Sequence, residues 1–228
     1  PVRTVPGTWS LPPDEVTVQD AEFRAPGTTG SESTWNPWQT PEPQPEVQSF
    51  LFVTSGALTV DAAGQAQTLS EGGFAYLPAG TVWSAHNNGE TDATFVWIRK
   101  RYEPAEGHVP SVQFGNEQDI EPSAMPGTDG KWRTTRMLDP ADLAYDMHVN
   151  IVTFEPGASI PFAETHVMEH GLLMLEGKAV YHLNGDWVEV QEGDFLSLRA
   201  FCPQACYAGG PSRFRYLLYK DVNRQIML

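Results

Sequence analysis

One carboxylate and two imidazoles fall within the stretch ETHVMEH, residues 164–170: Glu164, His166 and His170. The chain has six histidines, so two of them here concentrate its capacity for metal ligation or for acid/base chemistry near neutral pH. Three readings are open at this point: a metal site, an acid/base cluster, or a polar surface turn. Spacing constrains the geometry. Residues two apart on a strand share a face, so Glu164 and His166 can act together. His170 lies four residues further on, about 13 Å along a straight strand, too far to share an ion whose ligands stand about 2.0–2.2 Å away. The chain must therefore bend near Val167–Glu169. A helix would join His166 to His170 but turn Glu164 away, and Pro161 and Gly171 at its flanks fit a helix poorly.

The elements that must hold such a cluster read as strands. Apolar segments are short and separated by turn residues, as in FLFVTSGALTV, FAYLPAG, HVNIVTFEPG, LLMLEGKAVYHL and FRYLLYK. This rhythm predicts an all-β sandwich or barrel. The strongest candidate for a short helix is DPADLAYDM, residues 139–147. An internal repeat appears at an offset of 121 residues: LFVTSG (51–56) aligns with LLMLEG (172–177), and EGGFAYLPAGTVW (71–83) with EGDFLSLRAFCPQ (192–204), without a gap. Two copies of one β-domain are expected, residues 1–115 and 116–228, joined through a polar Pro/Gly-rich stretch at 103–131. Residues 1–40 are proline-rich and read as an arm that packs on the barrel or on a neighbouring subunit.

Composition excludes some partners. The net charge of −15 argues against nucleic acid and against an anionic membrane surface. It also means that a site for an anionic ligand must carry its own local cations. No apolar run of about 18 residues is present, so no membrane span is expected. The segment PVRTVPGTWS lacks an apolar signal core, and the two cysteines, Cys202 and Cys206, read as reduced thiols. A cytoplasmic protein is the expectation.

Each copy has a glycine, a strand, a Gly-led hairpin and a strand ending in a PxG-like turn. This resembles the cupin fold, and the repeat makes the chain look like a bicupin: two tandem jelly-roll-type antiparallel β-barrels with a proline-rich N-terminal arm. In copy one the second cupin motif runs Gly72, Pro78, Gly80, with Trp83 at the metal-histidine position. In copy two the same motif runs Gly193, Arg199, Phe201, with Gln204 at that position. Gln204 is thereby nominated as a fourth ligand beside Glu164, His166 and His170. Two oxygens and two imidazoles suit Mn²⁺ or Fe²⁺, and Zn²⁺ binds such donors too. Copy one has Pro43, Pro45, Ser49 and Trp83 at the four matching positions, none a good ligand, so the chemistry is expected in copy two alone.

Copy two also reads E-T-H-x3-H-G, then Gly177, Tyr181, CPQACYAGG and RYLLYKDVNR. Over residues 148–224 this combination is similar to the (S)-ureidoglycine aminohydrolase family, bicupins of purine-ureide breakdown. The resemblance implies a Mn²⁺-dependent hydrolase that converts (S)-ureidoglycine and water to (S)-ureidoglycolate and ammonia. It implies metal ligands at Glu164, His166, His170 and Gln204. It implies catalytic roles for Lys220 and Tyr216, with Tyr181, Tyr216, Lys220, His170 and Gln204 touching a small anionic ureide substrate. It also implies a homo-oligomer. Tyr216 and Lys220 are four apart on an expected strand and so share a face. Glu169 is expected in a supporting or solvent-exposed position, and His86, His108 and His148 at the surface or an interface. Two other readings are another metal-cupin activity, such as an oxygenase or isomerase, and a non-catalytic small-molecule-binding bicupin.

Overall fold

The structure is a computed structural model and describes residues 45–222 together with the backbone of residues 8–11 and 16–23. The chain divides into two compact units, Gly7–Asp119 and a second beginning at Ile120. The first holds β1 (Thr8–Leu11), β2 (Val16–Phe23), β3 (Val47–Ser55), β4 (Ala57–Ala62), β5 (Gln65–Ser70), β6 (Gly73–Leu77), β7 (Trp83–His86), β8 (Ala93–Arg101) and β9 (Gln113–Asn116). The second holds β10 (Ser123–Ala124), β11 (Trp132–Arg136), β12 (Met147–Phe154), β13 (His170–Glu176), β14 (Lys178–Leu183), β15 (Asp186–Gln191), β16 (Phe195–Leu198), β17 (Gln204–Tyr207) and β18 (Phe214–Asp221).

Each unit is a pair of antiparallel sheets. In the first, the order β1-β2-β8-β3-β6-β9 faces β5-β4-β7; in the second, β10-β11-β12-β18-β13-β16 faces β15-β14-β17. The core of the second unit draws from both of its sheets, with Phe154, Tyr181 and Phe214 fully buried. Each such side chain stabilises the fold by roughly 1.5–3 kcal/mol. The jelly rolls are thus two facing sheets rather than one continuous ring of hydrogen bonds. The crossing between sheets is made at Gly56 and its repeat mate Gly177. Both have positive φ (73° and 80°), and a Cβ on either would collide with a carbonyl oxygen, Asp92 or Arg213.

The 121-residue repeat holds in register as well as in sequence. Ala63 (φ 51°) and Asn184 (φ 58°) turn matching hairpins, and β3 and β13 break register at matching places, Val53/Ser55 and Met174/Glu176. The symmetry continues where the sequence does not show it. β2 pairs with β8 as β12 pairs with β18, each over eight residues. Part of the expected arm is therefore an integral strand pair, and its remaining residues, 1–7, 12–15 and 24–44, lie outside the described residues.

The helix expected at 139–147 does not form. Pro140 follows Asp139, and the carboxylates of Asp139 and Asp142 accept hydrogen bonds from the Ala141 and Ala144 amides at 2.9 and 2.8 Å. These side-chain turns compete with helical bonding, and Met147 already begins β12. A 3₁₀ turn at Glu117–Asp119 is the helical element among the described residues, none of which is long and apolar enough to cross a membrane.

Candidate metal and substrate site

One face of the large sheet of the second unit supplies most of a cavity of about 650 Å³. Alternate residues on β18, Tyr216, Leu218 and Lys220, point into it. Cross-strand pairing brings their neighbours to the same face: Lys220 pairs with His148 and His170, and Leu218 with Asn150 and Leu172. β11 adds Trp132, Thr134 and Arg136. The volume is that of a small-molecule site.

The ETHVMEH segment closes one side of this cavity. Residues 157–164 run beside β17 as an irregular strand, with Ile160 N donating to Cys206 O at 2.8 Å. Glu164 and Gln204 are clamped opposite each other by two backbone hydrogen bonds of 2.9 and 2.8 Å. The chain then bends at Val167–Met168, as the spacing required, and the His166 carbonyl accepts a 2.7 Å bond from Phe201 N. The bend brings the His166 and His170 rings to a centroid separation of 4.5 Å. Glu164 Oε1 lies 3.9 Å from His166 Nε2, and Gln204 Nε2 lies 3.0 Å from the same ring nitrogen. All four side chains line the cavity.

The set fits a divalent metal by donor chemistry: a carboxylate, two imidazoles and an amide converge on one space. Counting only His, Cys, Asp and Glu, no group of three or more among the described residues is arranged to hold an ion. The fourth donor, Gln204, is hydrogen-bonded to the His166 ring. The bond draws the amide and ring together, and a half-turn of the amide would present its oxygen instead of its nitrogen.

Burial sets the electrostatics. Desolvation raises the Glu164 pKa, partly offset by the Lys220 charge. Desolvation, then Lys220, lowers that of His166. His170 is pushed down to about 3 by burial first and then by the charges of His166 and Lys220. Both imidazoles are therefore neutral and competent as ligands at neutral pH. His170 also predicts an acid limb of stability. Between pH 6.5 and about 3 the unfolded chain holds a proton on this residue that the folded chain does not. Stability is full above 6.5 and falls as pH drops through that window, by up to about 1.4 kcal/mol per pH unit. In chelator-treated protein, the urea midpoint should fall between pH 7 and 5, and fall less in His170→Gln.

Tyr216 and Lys220 lie in the cavity as expected, Tyr216 buried and Lys220 half-buried. Burial raises the Tyr216 pKa strongly, so its hydroxyl remains protonated and can donate. Tyr181 is placed differently. It is 0% exposed and does not line the cavity; its ring stands behind Tyr216 at a centroid distance of 6.3 Å. Its hydroxyl sits near Tyr216 and Cys206 without a well-formed hydrogen bond. Tyr181 thus packs directly behind a cavity residue. Cys202 and Cys206 are free thiols, and burial pushes Cys206 up to about 12. Glu169 turns toward Arg199 and the Ala200 backbone, away from the cavity. His148, expected at the surface, lines the cavity opposite Lys220, and Arg136 was not singled out by the sequence at all. Their alternation with buried neighbours on β11 and β12 was the available signal.

Phe201 occupies the position of Gly80 in copy one, and both have positive φ, 60° and 76°. A non-glycine residue there carries about 1–2 kcal/mol of strain. The ring is 65% exposed, so little packing offsets it. Phe201→Gly is expected to raise the melting temperature by a few degrees, about 4 °C per kcal/mol for a domain of this size. A lowered melting temperature in a thermal scan would show that the ring packs against something.

Comparison with known proteins identifies the fold and the family. The cupin domain family model matches residues 31–99 and 150–219. A Pseudomonas aeruginosa crystal structure described as a putative glyoxylate induced protein superposes with a TM-score of 0.85 at 48% identity, covering 100% of this chain and 81% of that one. The (S)-ureidoglycine aminohydrolase of Escherichia coli K12 is 37% identical over 183 residues, 79% of this chain and 69% of its own. The chain belongs to the (S)-ureidoglycine aminohydrolase family. A probable (S)-ureidoglycine aminohydrolase of Oryza sativa subsp. japonica is 36% identical over 82% of this chain, which spans 59% of that relative's length. In this member of the (S)-ureidoglycine aminohydrolase family the first jelly roll lacks the donor cluster for a visible reason. Its matching space is packed: Trp83 meets Trp97 edge-on at 5.5 Å, and the Arg99 guanidinium lies 4.7 Å over the Trp97 ring. Ser49 stands where His170 stands, and Pro43 lies outside the described residues.

Proposed function

We propose that the second jelly roll is a metal-dependent hydrolase site that converts (S)-ureidoglycine and water to (S)-ureidoglycolate and ammonia. The observation that carries this reading is the convergence of Glu164, His166, His170 and Gln204 on a cavity that also holds Tyr216 and Lys220, in a chain of this family. The four donors would hold the metal, with Mn²⁺ the proposed ion. A divalent ion there would act as Lewis acid and lower the pKa of a bound water.

The remaining steps belong to side chains. In the reaction the bond from the α-carbon to the amine breaks, a bond from water oxygen to that carbon forms, and the ureido group stays. Lys220, protonated, would donate to the departing amine, and its charge offsets that of Glu164. The Tyr216 hydroxyl is a permanent donor suited to a ureido carbonyl. The apolar walls, Leu172, Val152 and Leu218, exclude bulk water and strengthen both contacts.

The test is coupled ammonia release from freshly generated ureidoglycine, using metal-stripped protein with Mn²⁺, Fe²⁺ or Zn²⁺ restored. Metal-dependent acceleration over spontaneous decay, greatest with Mn²⁺, is expected. No acceleration with any ion would overturn the reading. The protein is also proposed to be a cytoplasmic homo-oligomer; a monomeric mass in solution scattering would count against the assembly.

A further inference from the structure

The cavity holds a cation that the donor cluster does not account for. Arg136 ends β11, half-buried, and lines the same space as Lys220. Register fixes its place. It pairs with Asn150 of β12, which pairs with Leu218 of β18, one row from the His148–Lys220–His170 line. Arg136 is therefore two strands, about 10 Å at the backbone, from β18, and three strands from His170. Both long side chains reach into the space between. Among the described residues, no carboxylate lies within ion-pair distance of Arg136 or Lys220, although the chain has 29 acidic residues. Two like charges facing one partly desolvated cavity repel each other, and Glu164, which lines the same cavity, offsets Lys220 only in part. A bound anion between them removes that penalty.

Resting on the ureidoglycine reading, we propose that Arg136 is the carboxylate clamp of this cavity, with the buried Asn150 amide beside it as a second donor. A guanidinium stays charged at any working pH and offers a planar fork that matches a carboxylate bidentately. Of the other substituents of the substrate, the neutral ureido carbonyl would accept from an arginine more weakly than a carboxylate, and the amine offers it no anionic acceptor. With the carboxylate at β11 and β12, the amine and ureido arms extend toward β18 and the Glu164–Gln204 side. Arg136 thus fixes which end of the substrate faces the donors, and it selects for a carboxylate-bearing ureide.

The test compares wild type, R136K and R136Q, all loaded with Mn²⁺. Calorimetry measures binding of (S)-ureidoglycolate and of hydroxymethylurea, which lacks the carboxylate. In R136Q, (S)-ureidoglycolate should bind about 10- to 100-fold more weakly and KM should rise by a similar factor, with R136K in between. Hydroxymethylurea binding should be unchanged in both variants. Equal weakening of both ligands, or unchanged binding of (S)-ureidoglycolate, would overturn the clamp. If R136Q fails to fold, R136K decides: weaker carboxylate binding supports the clamp, and unchanged binding overturns it. If wild type releases no ammonia, the ureidoglycine reading falls, and binding of glycolate still decides the role of Arg136, its loss in R136Q supporting the clamp and its retention overturning it.

Discussion

Replacing His170 with serine is expected to leave the second jelly roll folded while removing nearly all metal-dependent ammonia release. The first jelly roll supplies the reason to expect folding. Ser49 occupies the same place there, pairing with Arg99 as His170 pairs with Lys220, and it is equally buried. The space lost borders the cavity rather than sealed core, so the cost should lie below the roughly 2–5 kcal/mol of a large-to-small change in a closed core. The functional cost is larger. A bound Lewis acid contributes several kcal/mol to charge stabilisation, and each 1.36 kcal/mol is a factor of ten, so kcat/KM should fall about 10³-fold or more. Metal stoichiometry by mass spectrometry should fall with it, while far-UV circular dichroism stays unchanged. A variant that keeps both its metal and its activity would remove His170 from the donor set.

The sequence showed most of this architecture because its signals were local. Strand length, turn glycines and the 121-residue repeat are all written in short windows, and Gly56 and Gly177 mark the sheet crossing by a conformation that few other residues tolerate. The bend between His166 and His170 was legible too, because a straight strand cannot bring the two together. Other parts were not. Tyr181 stands behind the Tyr216 ring, and alternation along β14 cannot say which side chain of another strand lies in front of it. His148 and Arg136 enter the cavity through pairings with β18 and β12, across more than 60 residues of chain in the case of His148 and Lys220. The false helix at 139–147 had helical composition, but Asp139 and Asp142 satisfied the backbone by side-chain turns instead. Composition sets propensity, and a competing hydrogen bond decided the outcome.

Within this arrangement Lys220 is the side chain whose loss should separate chemistry from binding. It is half-buried, and desolvation lowers its pKa first, with Arg136 adding to that and Glu164 opposing it. Lys220→Met is expected to reduce kcat by about 10²–10⁴-fold, the usual contribution of a positioned proton donor. Stability should be retained, because the methionine stem replaces the lysine stem and no ion pair within bonding distance is broken among the described residues. Lys220→Arg keeps the charge but cannot give up its proton, so it should recover KM and not kcat. The pH profile adds an independent reading. If the ammonium form is the active one, the rate falls as pH rises through the lowered pKa of Lys220, so the basic limb lies below the ordinary lysine value of 10.5. In Lys220→Arg the small residual rate should show no such limb. A Lys220→Arg enzyme with full kcat would assign Lys220 to charge alone and return the proton to water.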